Sequence, residues 1–249
     1  MNTTTVARTS VLITGANKGL GFETAKRLGH EGWRVFLGSR DGSRGRAAAD
    51  RLIADGVEAV AVRLDVTSDA SVADAVELVR EHTDTLDVLI NNAGTPGLAV
   101  APAEATVDEL HAVYDTNVYG PVRVTRAFLP LLRAAANPRV VMVSSAGGSF
   151  AVVTDPEQPI ARMHELAYCS SKAALNMLTV RYAQALPQVK FNLVTPGEVA
   201  HHKFAATDMN NHRGQLTAAE GAEPIVRLAM LDADGPSGVF VDRLGPVAW

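Results

Sequence analysis

This sequence predicts a doubly wound α/β fold, a parallel sheet with helices on both faces. Apolar, β-branched runs alternate with longer helical patterns along the whole chain. Several of those runs are apolar without alternation, as expected of strands covered on both sides. The first run opens through a glycine-rich turn directly into a helix. The 249 residues contain no linker, repeat or low-complexity stretch, so residues 1–249 read as a single domain.

Val11–Thr14 reads as the first strand, and Leu20–Glu31 as a helix closed by Gly32. Trp33–Leu37 and Val57–Leu64 are the next strands, each followed by a helix, Arg44–Ala54 and then Ala70–His82. Leu86–Ile90 is a fourth strand. Val107–Ala136 holds one or two helices with Pro121 as a boundary. Arg139–Val143, Val189–Val194 and Val239–Val241 complete the strands, with helices at His164–Ala185 and Thr217–Leu231. In such sheets ligands bind beyond the carboxyl ends of the strands, so the residues just after each strand should share one site.

Composition narrows the function. A net charge of −4 leaves no basic footprint, which argues against a nucleic-acid partner. No run approaches a membrane span, and Met1–Ser10 lacks the apolar stretch of a signal peptide. The only cysteine, Cys169, excludes a disulfide within the chain. These features suit a soluble, cytoplasmic protein with no membrane partner.

Chemistry first appears after strand one, in Thr14, Gly15, Ala16, Asn17, Lys18, Gly19, Leu20 and Gly21. Glycines let the backbone turn sharply and approach a pyrophosphate, and the following helix offers free N–H groups to phosphates. Three glycines would also serve an ordinary tight connection. Strand two sharpens the reading, because it runs into Gly38, Ser39 and Arg40. An acidic residue there would favour an unphosphorylated ribose, whereas arginine holds a 2′-phosphate. With Lys18 as a second charge, the cofactor expected is NADP(H) rather than NAD(H). The competing view is that both are solvated surface charges.

A second constellation lies on the helix beginning near His164. Tyr168 and Lys172 are four residues apart and face the same way. A nearby ammonium favours the phenolate and should bring the phenol below its usual value of about 10, making a general acid/base. Ser145, after strand five, is placed to polarise a substrate carbonyl, although a turn serine would also fit.

Taken together, the glycine turn, Asn91–Gly94, Asn117, Ser145, Tyr168 with Lys172, and Pro196–Gly197 follow the order found in short-chain dehydrogenases/reductases. The chain resembles that family over nearly its whole length, and its carbonyl-reductase-type members most. The resemblance implies a Rossmann-type fold and an NADP(H)-dependent oxidoreductase acting on a carbonyl or alcohol. It implies that Tyr168 exchanges the proton, that Lys172 lowers its pKa and binds the nicotinamide ribose, that Ser145 orients the carbonyl, and that Asn117 holds a water in a proton relay. Without the family, Asn117 reads as a helix kink or cap. For the cofactor, the resemblance implies that Asp65, followed by Val66, binds the adenine amino group; a helix-capping role for Asp65 is compatible. Asn92, Ala93 and Gly94 would flank the adenosine ribose and steady the sheet. Pro196 and Gly197 would pass the nicotinamide, and Val199 would meet its carboxamide through its backbone. A homo-oligomer, dimer or tetramer, is usual in the family, with a monomer left open.

Two departures stand out. Ser145 and Tyr168 are 23 positions apart, more than in the family's short members. The segment from about residue 150 to 166 is therefore expected to fold over the substrate, with Phe150, Val152, Val153, Met163 and His164 as candidates for a pocket suiting a bulky hydrophobic molecule. The family's threonine soon after Pro-Gly is replaced by His201, and Thr207, Asp208 and Met209 follow later. An insertion at 200–216 is expected to act as a lid. His201, His202 and His212 lack the partners of a metal site and read as solvated lid residues. A non-catalytic NADP(H)-sensing or partner-binding protein on the same fold is the competing class. It would be expected to lose Ser145, Tyr168 or Lys172, and all three are present.

Overall fold

The computed structural model describes residues 8–162 and 164–249. Seven parallel strands form one sheet, in the order β3-β2-β1-β4-β5-β6-β9. They are β1 (Ser10–Ile13), β2 (Arg34–Ser39), β3 (Ala59–Arg63), β4 (Val88–Asn91), β5 (Arg139–Val143), β6 (Lys190–Val194) and β9 (Phe240–Val241). Helices α1 (Gly19–His30), α2 (Gly42–Ala54), α3 (Asp69–Arg80), α4 (Val107–Tyr114), α5 (Gly120–Ala134), α6 (Phe150–Val153), α7 (Leu166–Ala185) and α8 (Ala218–Ala229) fill the connections.

The unbroken apolar runs have a direct cause. Side chains alternate across a strand, and here both faces are dry. Leu12, Phe36, Leu89, Val140 and Leu193 join the core beneath α3, α5 and α7. Val11, Ile13, Val35, Val88 and Val141 join a second core beneath α1, α2 and α8. Strand order reverses between β1 and β4, which opens the crevice where such sheets bind ligands.

Two features differ from the expectation. The helical stretch at Val107–Ala136 breaks before Pro121, in a π-helical turn at Asp115–Tyr119. Pro121 sits in the first turn of α5, where its missing N–H costs nothing. After Pro196 the chain forms a small antiparallel hairpin, β7 (Gly197–Glu198) with β8 (Lys203–Phe204). Residue alternation over two positions is too short to show this in a sequence. Among the described residues, no helix is long and apolar enough to cross a membrane.

Candidate active site

The turn between β1 and α1 is built to receive an anionic, closely approaching ligand. Gly15 and Gly19 take φ of +64° and +55°. A β-carbon on Gly21 would stand 2.6 Å from Asn92 Nδ2 and 2.8 Å from Gly15 O, whereas one on Gly19 would meet nothing within 4 Å. Glycine is thus required at Gly21 by packing and at Gly19 by backbone conformation. The first turn of α1 carries no acidic residue, and Lys18, at its N-cap, makes no side-chain capping bond. Its N–H groups are left for a phosphate. Asn92 holds the turn in place, donating through Nδ2 to the carbonyls of Thr14 and Gly15. The Asn92 and Ala93 amides donate to Thr14 Oγ1. These residues fit a dinucleotide cofactor.

The positive charge expected for a 2′-phosphate is distributed differently from the sequence reading. Arg40 is exposed at the end of β2. Arg63, at the end of β3 and in register with Ser39, is a further cation that the linear sequence did not single out. Burial raises the Asp65 carboxyl, but the Thr67 hydrogen bonds together with the Arg40 and Arg63 charges outweigh it and hold the group below its ordinary value. Lys18 instead forms an ion pair with Asp208. Ser39 is turned inward, 1% exposed, and its hydroxyl donates to the Asp41 carbonyl, so its side chain does not face the crevice. Asp65 Oδ1 accepts from the amide and hydroxyl of Thr67, a local turn, while Ser68 is the cap of α3. Val66 is buried against Gly120, and its carbonyl accepts from Arg123.

At the carboxyl end of β5 the two neighbouring serines separate by role. Ser144 is 3% exposed and donates to Asn176 Oδ1, a packing contact. Ser145 is only partly buried, accepts from the Gly147 amide and lies near enough to the Tyr168 phenol to affect its acidity. Lys172 Nζ lies 5.7 Å from the centre of the Tyr168 ring and donates to the Val143 carbonyl at 2.9 Å. Ser145, Tyr168 and Lys172 fall in one neighbourhood, with Lys172 Nζ against the Tyr168 ring. The electrostatics differ from the lowered phenol expected of the sequence. Burial pushes the phenol up to about 12, and Ser145 opposes this only in part. The amine does not reverse it, because it is held on Val143 beside the ring face rather than at the hydroxyl. Burial also brings Lys172 down to about 8.

That depressed value has a stability consequence. Below pH 8 the folded and unfolded chains both carry the proton, and the folded state bears the full cost of an enclosed charge. Between 8 and the ordinary 10.5 the unfolded chain keeps a proton the folded one has lost, so this cost fades as pH rises. Lys172→Met is therefore expected to stabilise the fold at pH 7 by about 1–3 kcal/mol, less what the Val143 carbonyl loses. Thermal melts at pH 7 and pH 10 check this; a lower Tm than the parent at pH 7 would refute it.

Asn117 is fully buried within the π-helical turn. Its amide clamps Thr95, donating to the Thr95 carbonyl and accepting from the Thr95 amide, both at 2.9 Å, and it also donates to Ser171 Oγ. The kink anticipated from sequence is present, and Thr95 is the partner that sequence did not reveal. A β-carbon on Gly94 would lie 3.3 Å from Asn117 Oδ1 and 3.7 Å from Lys172 Nζ. Gly94 thus borders both catalytic candidates.

The two long segments depart most from expectation. Val152 is 6% exposed and packs into the core, with Val153 against it. Phe150 is 73% exposed and His164 is also exposed, so neither lines an enclosed pocket. Met163 lies outside the described residues. A cavity of about 380 Å³ does lie under this segment, bounded by Val152, Gln158, Val199 and the tail from Asp242 to Ala248, but none of the four catalytic candidates lines it. Val199 loses its expected part, since its amide donates to Asp242 Oδ2 and its carbonyl accepts from His202. The cause is the hairpin. Gly197 closes it, a β-carbon there meeting Lys203 O at 2.6 Å, and the chain returns to the Pro196 carbonyl only at Ala205. Glu198, its side chain 3% exposed, pins the hairpin through His201, Arg243 and Lys203, which together hold its carboxyl at about 2. The histidines go to three separate partners: His201 to Glu198, His202 to Gln158 and His212 to Asp208. Beyond the hairpin, Met209 Cε reaches within 3.7 Å of the β-carbon position of Gly94, so this segment lies over the crevice.

The sequence model described as short chain dehydrogenase matches residues 9–213. A (+)-neomenthol dehydrogenase of Arabidopsis thaliana is 33% identical, covering 93% of this chain and 95% of that protein. Salutaridine reductase of Papaver somniferum is 32% identical, covering 97% and 96%. Among solved structures, the NADPH-bound carbonyl reductase from chicken fatty liver superposes with a TM-score of 0.83 at 29% identity, covering 98% of this chain and all of that one.

Proposed function

This chain belongs to the short-chain dehydrogenase family, and we propose that within it the protein is an NADP(H)-dependent carbonyl reductase. Its substrates would be ketones or aldehydes, or secondary alcohols in reverse. One observation carries the reading: Ser145, from β5, and Lys172, from α7, flank Tyr168 at the carboxyl end of the sheet, where the phosphate cradle also lies. The non-catalytic alternative has nothing comparable in its favour.

The hydride chemistry would be supplied by the nicotinamide cofactor when bound. The chain's own part is to orient and to move a proton. As a carbonyl is reduced, negative charge grows on its oxygen, and the Ser145 and Tyr168 hydroxyls are placed to stabilise it. A phenol near 12 is almost wholly protonated at neutral pH, ready to donate to a far more basic alkoxide. The phenolate that would accept a proton in the oxidative direction is scarcely populated at the same pH. Lys172, mostly protonated at neutral pH with a value of about 8, would hold the ribose and replenish the proton through the Asn117 region. Gly15, Asn17, Lys18, Leu20, Arg40, Asp65, Ala93, Gly94 and Pro196 border the proposed cofactor path. The relatives named for neomenthol and salutaridine support a bulky, apolar substrate. The proposed setting is the cytoplasm, which suits a lone Cys169.

The direct test follows NADPH oxidation with a panel of aromatic and cyclic ketones, aldehydes and quinones. Turnover of at least one is expected. NADPH binding without turnover of any would favour the sensing class instead.

The Lys18–Asp208 pair adds a check on cofactor entry. Lys18 cannot serve Asp208 and a phosphate fully at once. Asp208→Asn should therefore tighten NADPH binding about two- to fivefold, the scale of an exposed ion pair, with the gain shrinking in high salt. A fluorescence titration measures it; weaker binding would mean that Asp208 organises the site.

A further inference from the structure

Asn176 lies on α7 one helical turn after Lys172 and two after Tyr168, on the same side of the helix. It is 4% exposed, and no step of the reaction above uses it. Two hydrogen bonds occupy its amide. Ser144 Oγ donates to Oδ1 at 2.5 Å, and Nδ2 donates to the Gly148 carbonyl at 3.0 Å. A carbonyl can only accept, so the nitrogen faces Gly148 and the oxygen is left for the hydroxyl. Asparagine is a mediocre helix former, and a buried amide is tolerated only when its groups are paired. Leucine, with the same branched outline, would fill the position without either demand.

The two bonds bracket Ser145. Ser144 follows β5, and Gly148 ends the short 3-10 turn that begins at Ala146, so one side chain grips the chain before and after the serine. The turn lies directly on the helix: a β-carbon on Gly148 would stand 2.6 Å from the Lys172 carbonyl carbon and 2.9 Å from Lys172 Cβ. On the other side, the Ser144 amide donates to the Val194 carbonyl and the Ala146 amide to Thr195 Oγ1. Those bonds refer the turn to the end of β6. Its placement relative to α7, which carries Tyr168 and Lys172, comes from Lys172 on the Val143 carbonyl and from Asn176 on both sides of Ser145. Within the turn Ser145 Oγ accepts from the Gly147 amide, so its position follows the backbone that Asn176 holds.

We infer that Asn176 is a positioning residue for carbonyl reduction, holding Ser145 Oγ in register with the Tyr168 hydroxyl so that one substrate oxygen can meet both. It acts through Ser145 and, being enclosed, presents no surface to substrate. This rests on the reductase reading. Two hydroxyls must converge on one developing oxyanion, and a misplacement of about 1 Å can cost about 10²-fold in rate.

The test is a double-mutant cycle on kcat, with saturating NADPH and the best ketone of the panel. Asn176→Leu should lower kcat about 10- to 100-fold while NADPH binds within about twofold of the parent. In a Ser145→Ala background the same change should cost less than about threefold, because the hydroxyl it positions is gone. A residue that only supported packing would cost the same factor in both backgrounds. Ser144→Ala releases one end of the turn and should give a smaller loss that also vanishes in Ser145→Ala; it carries both readouts should Asn176→Leu fail to fold. A crystal structure of the variant should show Ser145 Oγ displaced relative to α7, by about 1 Å in Asn176→Leu. A kcat within about threefold of the parent for Asn176→Leu, equal losses in both backgrounds, or a serine turn left in place would overturn the assignment. Failure of the reductase reading shows separately: the parent then reduces no member of the panel, and the crystal comparison still decides whether Asn176 sets the serine turn.

Discussion

Tyr168→Phe is expected to lower kcat by about 10³-fold while NADPH binds within about twofold of the parent. The variant removes one oxygen and leaves the ring, so packing against Lys172 and the α7 backbone persists. What disappears is the hydroxyl beside Ser145, while Lys172 keeps its place against the ring. Two losses combine in it: the hydrogen bond to the developing oxyanion and the proton that must follow the hydride. Water can replace the proton source only poorly, because Lys172 is 4% exposed and Ser145 only partly accessible. Single-turnover kinetics with NADPH and the best ketone of the panel measure the drop directly. Turnover within tenfold of the parent would remove Tyr168 from the proton-transfer role. The same series has a pH arm. Since the phenol lies near 12 and Lys172 near 8, the reductive rate should be flat through pH 6–7 and fall as Lys172 loses its proton.

How far such a site can be read from sequence depends on the range of the forces that build it. Strand identity was legible because burial on both faces writes itself into consecutive residues, as in Val11–Ile13 and Val140–Val143. Tyr168 and Lys172 were legible because four residues of helix is a fixed distance. Ser145 required only that β5 end beside α7, which the winding rule supplies. What failed depended on contacts distant in sequence. The phenol's shift is set by desolvation, which no local spacing reports. Val199 was misassigned because Asp242, over forty residues later, takes its amide. Lys18 faces Asp208 because the segment after Pro196 folds as a hairpin and carries the following residues across the crevice. Phe150 looked like a pocket residue because it is apolar and near Ser145 in sequence, yet the turn through Gly147 and Gly148 directs it outward.

Arg40→Asp should change cofactor preference more than any other single substitution. The parent is expected to favour NADPH over NADH, because the 2′-phosphate would meet Arg40 with Arg63 close by at the neighbouring strand end, and guanidinium–phosphate pairs are strong and directional. Reversing the charge at position 40 replaces attraction by repulsion and offers the ribose hydroxyls a carboxylate. The ratio of kcat/KM for NADPH over NADH should fall by about 10²–10³-fold, the equivalent of about 3–4 kcal/mol. Arg63 makes the outcome more informative. Its charge also acts on Asp65, so Arg63 is positioned to retain part of the phosphate affinity once Arg40 is gone. Arg63→Ala alone should then weaken NADPH moderately and leave NADH untouched. In Arg40→Asp the added Arg63→Ala change should remove that remaining affinity, and the two effects should not add, because both residues serve one phosphate. A cofactor ratio unchanged by Arg40→Asp would place the 2′-phosphate elsewhere, and Lys18 freed from Asp208 would then be the cation to examine.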